Sequence, residues 1–181
     1  MQPSPLAAVV TNPQPRWLLV FLLGIAAIVY ACNAGNDFLF DDIPALSGNE
    51  LVQISGARFD EWRTAAFSSN AGPLSRPLTM VSFALQHVLD DGFSARSLKL
   101  GNIAIHLTIG VVLFFLFRAL LAEWVSQGRL QSPVGWVAAV AAGLWLLHPL
   151  HVSTVLYAVQ RMAQLSTLFV VLGLFLSLIH I

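Results

Sequence analysis

Two adjacent carboxylates, Asp41 and Asp42, stand in the string Phe38-Leu39-Phe40-Asp41-Asp42, a few residues past a strongly apolar run. Desolvating two acids beside a membrane boundary is costly, and anchoring does not need them, so they are the first candidates for a site. As a residue type, a carboxylate can take up a proton or help to hold a cation. The plainer reading is that the pair caps the helix opened by Ile43-Pro44, with its oxygens on backbone N–H groups. His148 and His151 follow at an i, i+3 spacing that suits metal ligands or hydrogen bonds, but two histidines fall short of the three or four ligands a zinc site needs. Arg161 has a plain role too: a long side chain that snorkels to the interface. Asn102 and His106 lie one turn apart, share a helix face, and suit hydrogen bonds between helices.

What must position these groups is a membrane. The 181 residues are 57% hydrophobic and only 10% charged, with a mean hydropathy of +0.76. Soluble domains carry about 25% charged residues, so this chain is an integral membrane protein. A net charge of zero gives no reason to expect a nucleic-acid partner, and the single Cys32 excludes an internal disulfide.

Four apolar segments approach the roughly 20 residues a spanning helix needs: about 17–32, 98–121, 133–147 and 162–181. Residues 1–16 are expected as a cytoplasmic tail. Arg16 ahead of the first run and small Ala31 and Ala34 near its end also fit a signal peptide, whereas the run's length and the interfacial Tyr30 fit an anchor. The outer loop, 33–97, is expected to hold an amphipathic surface helix over Leu51 to Phe67, with Phe59, Trp62 and Ala66 on one face. Pro73, Arg76 and Pro77 break it, and a short apolar helix follows over Thr79 to Leu89. Asp90-Asp91-Gly92 reads as a turn, and Arg118 to Ser132 as a polar loop. Four crossings place Asp41, Asp42, Arg76, His148, His151 and Arg161 on the same face. Basic residues near the span ends favour a cytoplasmic N-terminus.

Phe40-Asp41-Asp42 after a first span resembles the acidic motif in the first outer loop of GT-C glycosyltransferases. The resemblance sharpens with Arg76-Pro77-Leu78-Thr79 and with Leu98-x-x-x-Asn102-x-x-x-His106. It sharpens again with His148-Pro149-Leu150-His151, followed by Tyr157-x-Val159-Gln160-Arg161-Met162. Together these are similar to the N-terminal membrane part of bacterial TPR-containing GT-C proteins, themselves similar to the transmembrane-and-TPR O-mannosyltransferases of animals. The resemblance runs from about Phe21 onward. It implies an all-α, polytopic membrane bundle of GT-C type, with four spanning helices plus interfacial outer-loop helices. Such proteins are longer, so the chain is expected to be a fragment truncated inside its fourth span.

The resemblance also implies a reaction: transfer of a hexose from a polyprenyl-phosphate carrier to a hydroxyl of a protein or envelope glycan on the outer face. In a bacterium the expected location is the inner membrane with a periplasmic site. Asp41 would act as general base. Asp42 would tune it or share a divalent metal with it. Arg161, with Arg76 as second candidate, would meet the lipid phosphate through bidentate contacts. His148, His151 and Gln160 would bind substrate. The fragment is expected to be inactive alone. The rival expectations are a non-catalytic assembly module and a transporter fragment. A transporter would carry its charges near the midplane, where here they cluster at the boundary.

Overall fold

The computed structural model describes residues 14–69, 75–128 and 133–180, and the regular elements among them are all helical. Helix α1 spans Gln14–Cys32. A single π-helical turn, Ile43–Ser47, and a 3-10 turn, Glu50–Val52, follow. Then come α2 (Phe59–Ala66), α3 (Pro77–Leu89), α4 (Ala95–Ser126), α5 (Val134–Leu146) and α6 (His151–Leu156). A 3-10 turn, Ala158–Gln160, leads directly into α7 (Arg161–His180). Of the expected cytoplasmic tail only residues 14–16 are described, and they form the first turn of α1. Pro73, and residues 129–132 of the expected inner loop, lie outside the described residues.

Among the described residues three helices are long and apolar enough to cross a bilayer: Pro15–Cys32, Ala95–Ser126 and Ala158–His180. At 1.5 Å per residue α4 is about 48 Å long, well beyond a hydrocarbon core of about 30 Å. The segment expected as a third span, 133–147, folds as the 13-residue α5, about 20 Å long. By length and composition three of the described helices can span, and α5 is a shorter apolar helix.

The chain forms two compact units. One comprises Tyr30–Ile105 and Val152–Leu165; the other comprises the described parts of Met1–Val29, His106–His151 and Ser166–Ile181. The first unit buries Leu46, Val52, Ile54, Ala65, Met80, Phe83, Leu98, Ala158 and Met162 in one cluster, with Trp62 packed against it. The amphipathic stretch is shorter than its pattern implied. Helix α2 begins only at Phe59, because Gly56 takes a left-handed conformation (φ +79°) and the Glu61 carboxylate accepts hydrogen bonds from Gly56 N (3.0 Å) and Ser55 Oγ (2.8 Å). That arrangement anchors the first turn of α2 to the loop before it. Phe59 does not share the packed face: it is 81% exposed, while Ala65 and Ala66 are buried. Helix α3 matches its expectation and ends at the Asp90-Asp91-Gly92 turn, where Asp91 and Gly92 both have positive φ.

The second unit packs small residues closely. Ala138, Ala139 and Ala142 of α5 lie against Leu19 and Phe114. A Cβ added at Gly110 would meet Leu146 at 2.6 Å. Without a hydrophobic drive between helices in lipid, such close approach supplies the packing that holds them together.

Candidate functional site

The two aspartates do different things. Residues 39–42 form a tight turn in which Asp42 N donates to Leu39 O (2.9 Å) and Leu39 N donates back to Asp42 Oδ2 (3.1 Å). The turn requires Phe40 to adopt φ +44°. For a bulky side chain that conformation is strained by about 1–2 kcal/mol. The turn drives Asp42 inward and leaves Asp41 exposed. Asp42 is fully buried, and its carboxylate reaches across 116 positions in the sequence to accept hydrogen bonds from Ala158 N (3.2 Å) and Val159 N (2.8 Å). Those are the opening N–H groups of the 3-10 turn that runs into α7. A negative group at that end suits the helix dipole as well as its unmet donors. Asp42 thus caps a helix, but a distant one: it makes no side-chain cap on the Ile43–Ser47 turn beside it.

The carbonyl side of the same segment is also held. Asn102, fully buried on α4, donates from Nδ2 to Tyr157 O (2.9 Å) and Ala158 O (3.2 Å), and its Oδ1 accepts from Arg161 Nε (3.0 Å). Arg161 is 3% exposed. Its Nη1 donates to Ser82 O (3.3 Å) and Oγ (3.4 Å), and its Nη2 to Gln86 Oε1 (2.7 Å) and Leu98 O (2.9 Å). The guanidinium also lies over the Phe83 ring, 4.7 Å from its centroid. All three nitrogens are therefore committed to α3 and α4, where the snorkelling and phosphate readings both needed an outward-facing group. Gly101 makes the fit possible, since a Cβ there would stand 2.6 Å from Nη2. Lys99, also buried, donates to Gly35 O (3.2 Å) and Asp37 O (2.7 Å) and fastens the chain leaving α1 onto α4.

Arg76 contrasts with Arg161. It precedes α3 in a left-handed conformation, is exposed, and donates from Nη1 to Met162 Sδ (3.1 Å). Thioether sulfur is a weak acceptor, readily exchanged for a phosphate oxygen. Gln160 is half-buried, and its backbone N donates to Tyr157 O (3.2 Å). Asp41, Asp42, Arg76, Gln160 and Arg161 all belong to the first unit.

His148 and His151 belong to the second unit, with His106. His106 is buried, and its Nε2 is 3.0 Å from Leu146 O, the inter-helix bond its face implied. Its ring stacks on Trp145 at 4.7 Å, and the His151 ring lies 4.5 Å from Trp145. His148 is exposed, and its Nδ1 accepts from Leu150 N (3.3 Å). Burial, and then the neighbouring His148, hold the His151 pKa below the ordinary histidine value. Among the described residues no group of three or more His, Cys, Asp or Glu could hold a metal ion. The donor set of the aspartate pair does not fit one either, because both Asp42 oxygens are spent on backbone N–H groups. A shallow recess of about 380 Å³ between Glu50 and Thr64 includes none of the expected site residues in its lining.

Sequence reasoning passed over Gln86 and Lys99, and weighed Asn102 only as a bond between helices. A signal was present: each is a polar residue inside a mainly apolar helical run, where an unpartnered side chain is costly.

The chain is similar to curated proteins along most of its length. It is 30% identical over 166 residues to Protein O-mannosyl-transferase TMTC4 of Homo sapiens, covering 88% of this chain and 22% of that protein. It is 27% identical over 166 residues to the Mus musculus protein of the same name, with the same coverage. It is 26% identical over 149 residues to Protein O-mannosyl-transferase Tmtc2 of Drosophila melanogaster, covering 78% of this chain and 14% of that protein. The chain thus spans about a fifth or less of the length of these relatives. No family model matches it, and no solved structure matches it.

Proposed function

We propose, from this similarity to protein O-mannosyl-transferases, that the chain forms part of a membrane glycosyltransferase. The enzyme moves a hexose, mannose by analogy with those relatives, from a polyprenyl-phosphate carrier to a hydroxyl of a protein acceptor on the outer face. The observation that carries the reading is the division of labour between the aspartates. Asp42 is consumed in fastening the Ala158–Arg161 segment, which leaves Asp41, exposed and one residue away on a braced turn, to meet substrate. Asp41 accepts the proton of the acceptor hydroxyl as the oxygen attacks the anomeric carbon. The bond from that carbon to the phosphate oxygen breaks, and the lipid phosphate leaves with added negative charge. Arg76 meets that charge. Arg161, already engaged, holds the helices that present the site.

The topology that serves this chemistry keeps four crossings, with α5 as the short one. It places Asp41, Arg76, His148 and His151 on one face, periplasmic if the host is bacterial. Cysteine labelling in a Cys32→Ser background tests it: Ser69→Cys and Ser153→Cys react from outside and Ser126→Cys does not. Labels on Ser69 and Ser153 from opposite sides would overturn the topology.

The activity test is transfer of labelled sugar from lipid carrier in membranes holding the complete protein. General-base catalysis contributes about 10²–10⁴-fold, so Asp41→Asn, which keeps the shape and removes the charge, loses turnover on that scale with expression unchanged. Full turnover in Asp41→Asn sinks the proposal and favours a non-catalytic assembly module.

A further inference from the structure

Phe40 is strained and yet exposed. Its backbone is left-handed, with φ +44°, and 76% of its side chain is open. Glycine makes the same turn without a Cβ crowding the neighbouring carbonyl. Burial does not repay the strain, because the ring is not buried. A residue held off its preferred conformation and left exposed is characteristic of ligand clamps.

What the conformation does achieve is placement. The Phe40 ring stands 6.1 Å from the Tyr157 ring, with 36° between their planes. Tyr157 sits at the head of a segment held on both its carbonyl and its N–H side. Its carbonyl accepts from Asn102 Nδ2 (2.9 Å), and the two N–H groups after it are held by Asp42. Phe40 precedes the exposed Asp41, and the turn that strains Phe40 is the turn that buries Asp42. Two aromatic faces, set at an open angle, thus meet at the turn that carries the exposed Asp41.

We propose that Phe40 and Tyr157 form a stacking subsite for the C–H face of a hexose, next to Asp41. The proposal rests on the transferase reading above and names the contact that selects the sugar. A pyranose ring carries its polarised C–H bonds on its less polar face, and an aromatic face is electron-rich, so the two attract in the way aromatic edges and faces do. The hydroxyls stay at the rim; Asp41 follows Phe40 by one residue, and Gln160 follows Tyr157 by three.

Stability and sugar recognition separate the possibilities, because this role sets them in opposition. Phe40→Gly, Phe40→Leu and Phe40→Trp are prepared in the complete protein. Phe40→Gly melts at or above the wild-type temperature, since glycine relieves the turn. Its KM for the labelled mannosyl lipid nevertheless rises roughly three- to tenfold, the scale of one stacking contact. Phe40→Leu shows the same rise in KM, and Phe40→Trp retains the wild-type value. A second arm does not depend on turnover. Saturation-transfer NMR of methyl α-mannoside with the purified protein shows enhancement of the sugar C–H protons, and Phe40→Gly removes it. A lower melting temperature for Phe40→Gly means the ring is packing, and overturns the proposal. A Phe40→Leu protein as good as wild type makes the ring a lipid-facing residue, and also overturns it. If the wild-type protein transfers nothing but the saturation-transfer signal depends on Phe40, the transferase reading fails and the sugar subsite stands.

Discussion

Neighbouring aspartates of the same charge should respond oppositely to the same substitution. Asp42 accepts three backbone hydrogen bonds while fully buried, from Leu39, Ala158 and Val159. Hydrogen bonds to a charged group are worth about 1.5–3 kcal/mol each, and a buried N–H left without an acceptor costs about 1–3 kcal/mol. Asp42→Asn keeps the shape but has a single acceptor oxygen, and it turns an NH₂ group toward an N–H that needs an acceptor. The expected loss is roughly 2–5 kcal/mol, and Asp42→Ala, which orphans both distant donors, loses roughly 3–6 kcal/mol. For a protein of this size each kcal/mol lowers the melting temperature by about 2–4 °C. Asp42→Asn should therefore melt roughly 5–20 °C below wild type by the same scaling. Asp41→Asn, on the exposed side of the turn, should melt with wild type. The assay is thermal unfolding of the detergent-purified chain, followed by near-ultraviolet circular dichroism. The reasoning is refuted if the two single variants melt together, or if Asp42→Asn leaves the transition in place.

Three further outcomes follow from particular contacts. Gly101→Ala should destabilise by about 1–3 kcal/mol through overpacking against the Arg161 guanidinium and Gln86, and combined with Arg161→Lys it should lose less than the sum of the two, which denaturation of the double variant measures. Gly110→Ala sets a helix-propensity gain of up to about 1 kcal/mol against a Cβ placed 2.6 Å from the fully buried Leu146; the clash should win and lower the melting temperature, and Leu146→Ala should relieve it. The third concerns pH. His151 has its pKa held below the ordinary value of 6.5, so below that pH the unfolded chain binds the proton more readily than the folded one and stability rises with pH. Stability should be flat above pH 6.5 and should fall as pH drops through that value toward the folded pKa. His151→Gln should reduce the slope in a melting-temperature profile.

Composition alone decided that this chain is a membrane protein, because 57% apolar and 10% charged residues are far from a soluble domain's balance. Runs of apolar residues located α1, α4 and α7 to within a few positions, since spanning length depends on local hydrophobicity and little else. The same logic located α3 and the turn after it. Local pattern failed where a single residue overrode it: Gly56 and Glu61 delayed α2. The apolar run at 133–147 located α5 to within one residue at each end. The candidate site divides along the same line. Motif and position picked out Asp41, Asp42 and Arg161, because ionisable groups in apolar sequence are expensive and therefore informative. They did not reveal that Asp42 spends its oxygens on backbone 116 positions away, that Arg161 spends its donors on α3 and α4, or that Gln86 and Asn102 receive them. Residue type declares that a buried polar group must find partners. Which partners it finds depends on the packing of helices far apart in the chain, and only the tertiary structure decided that.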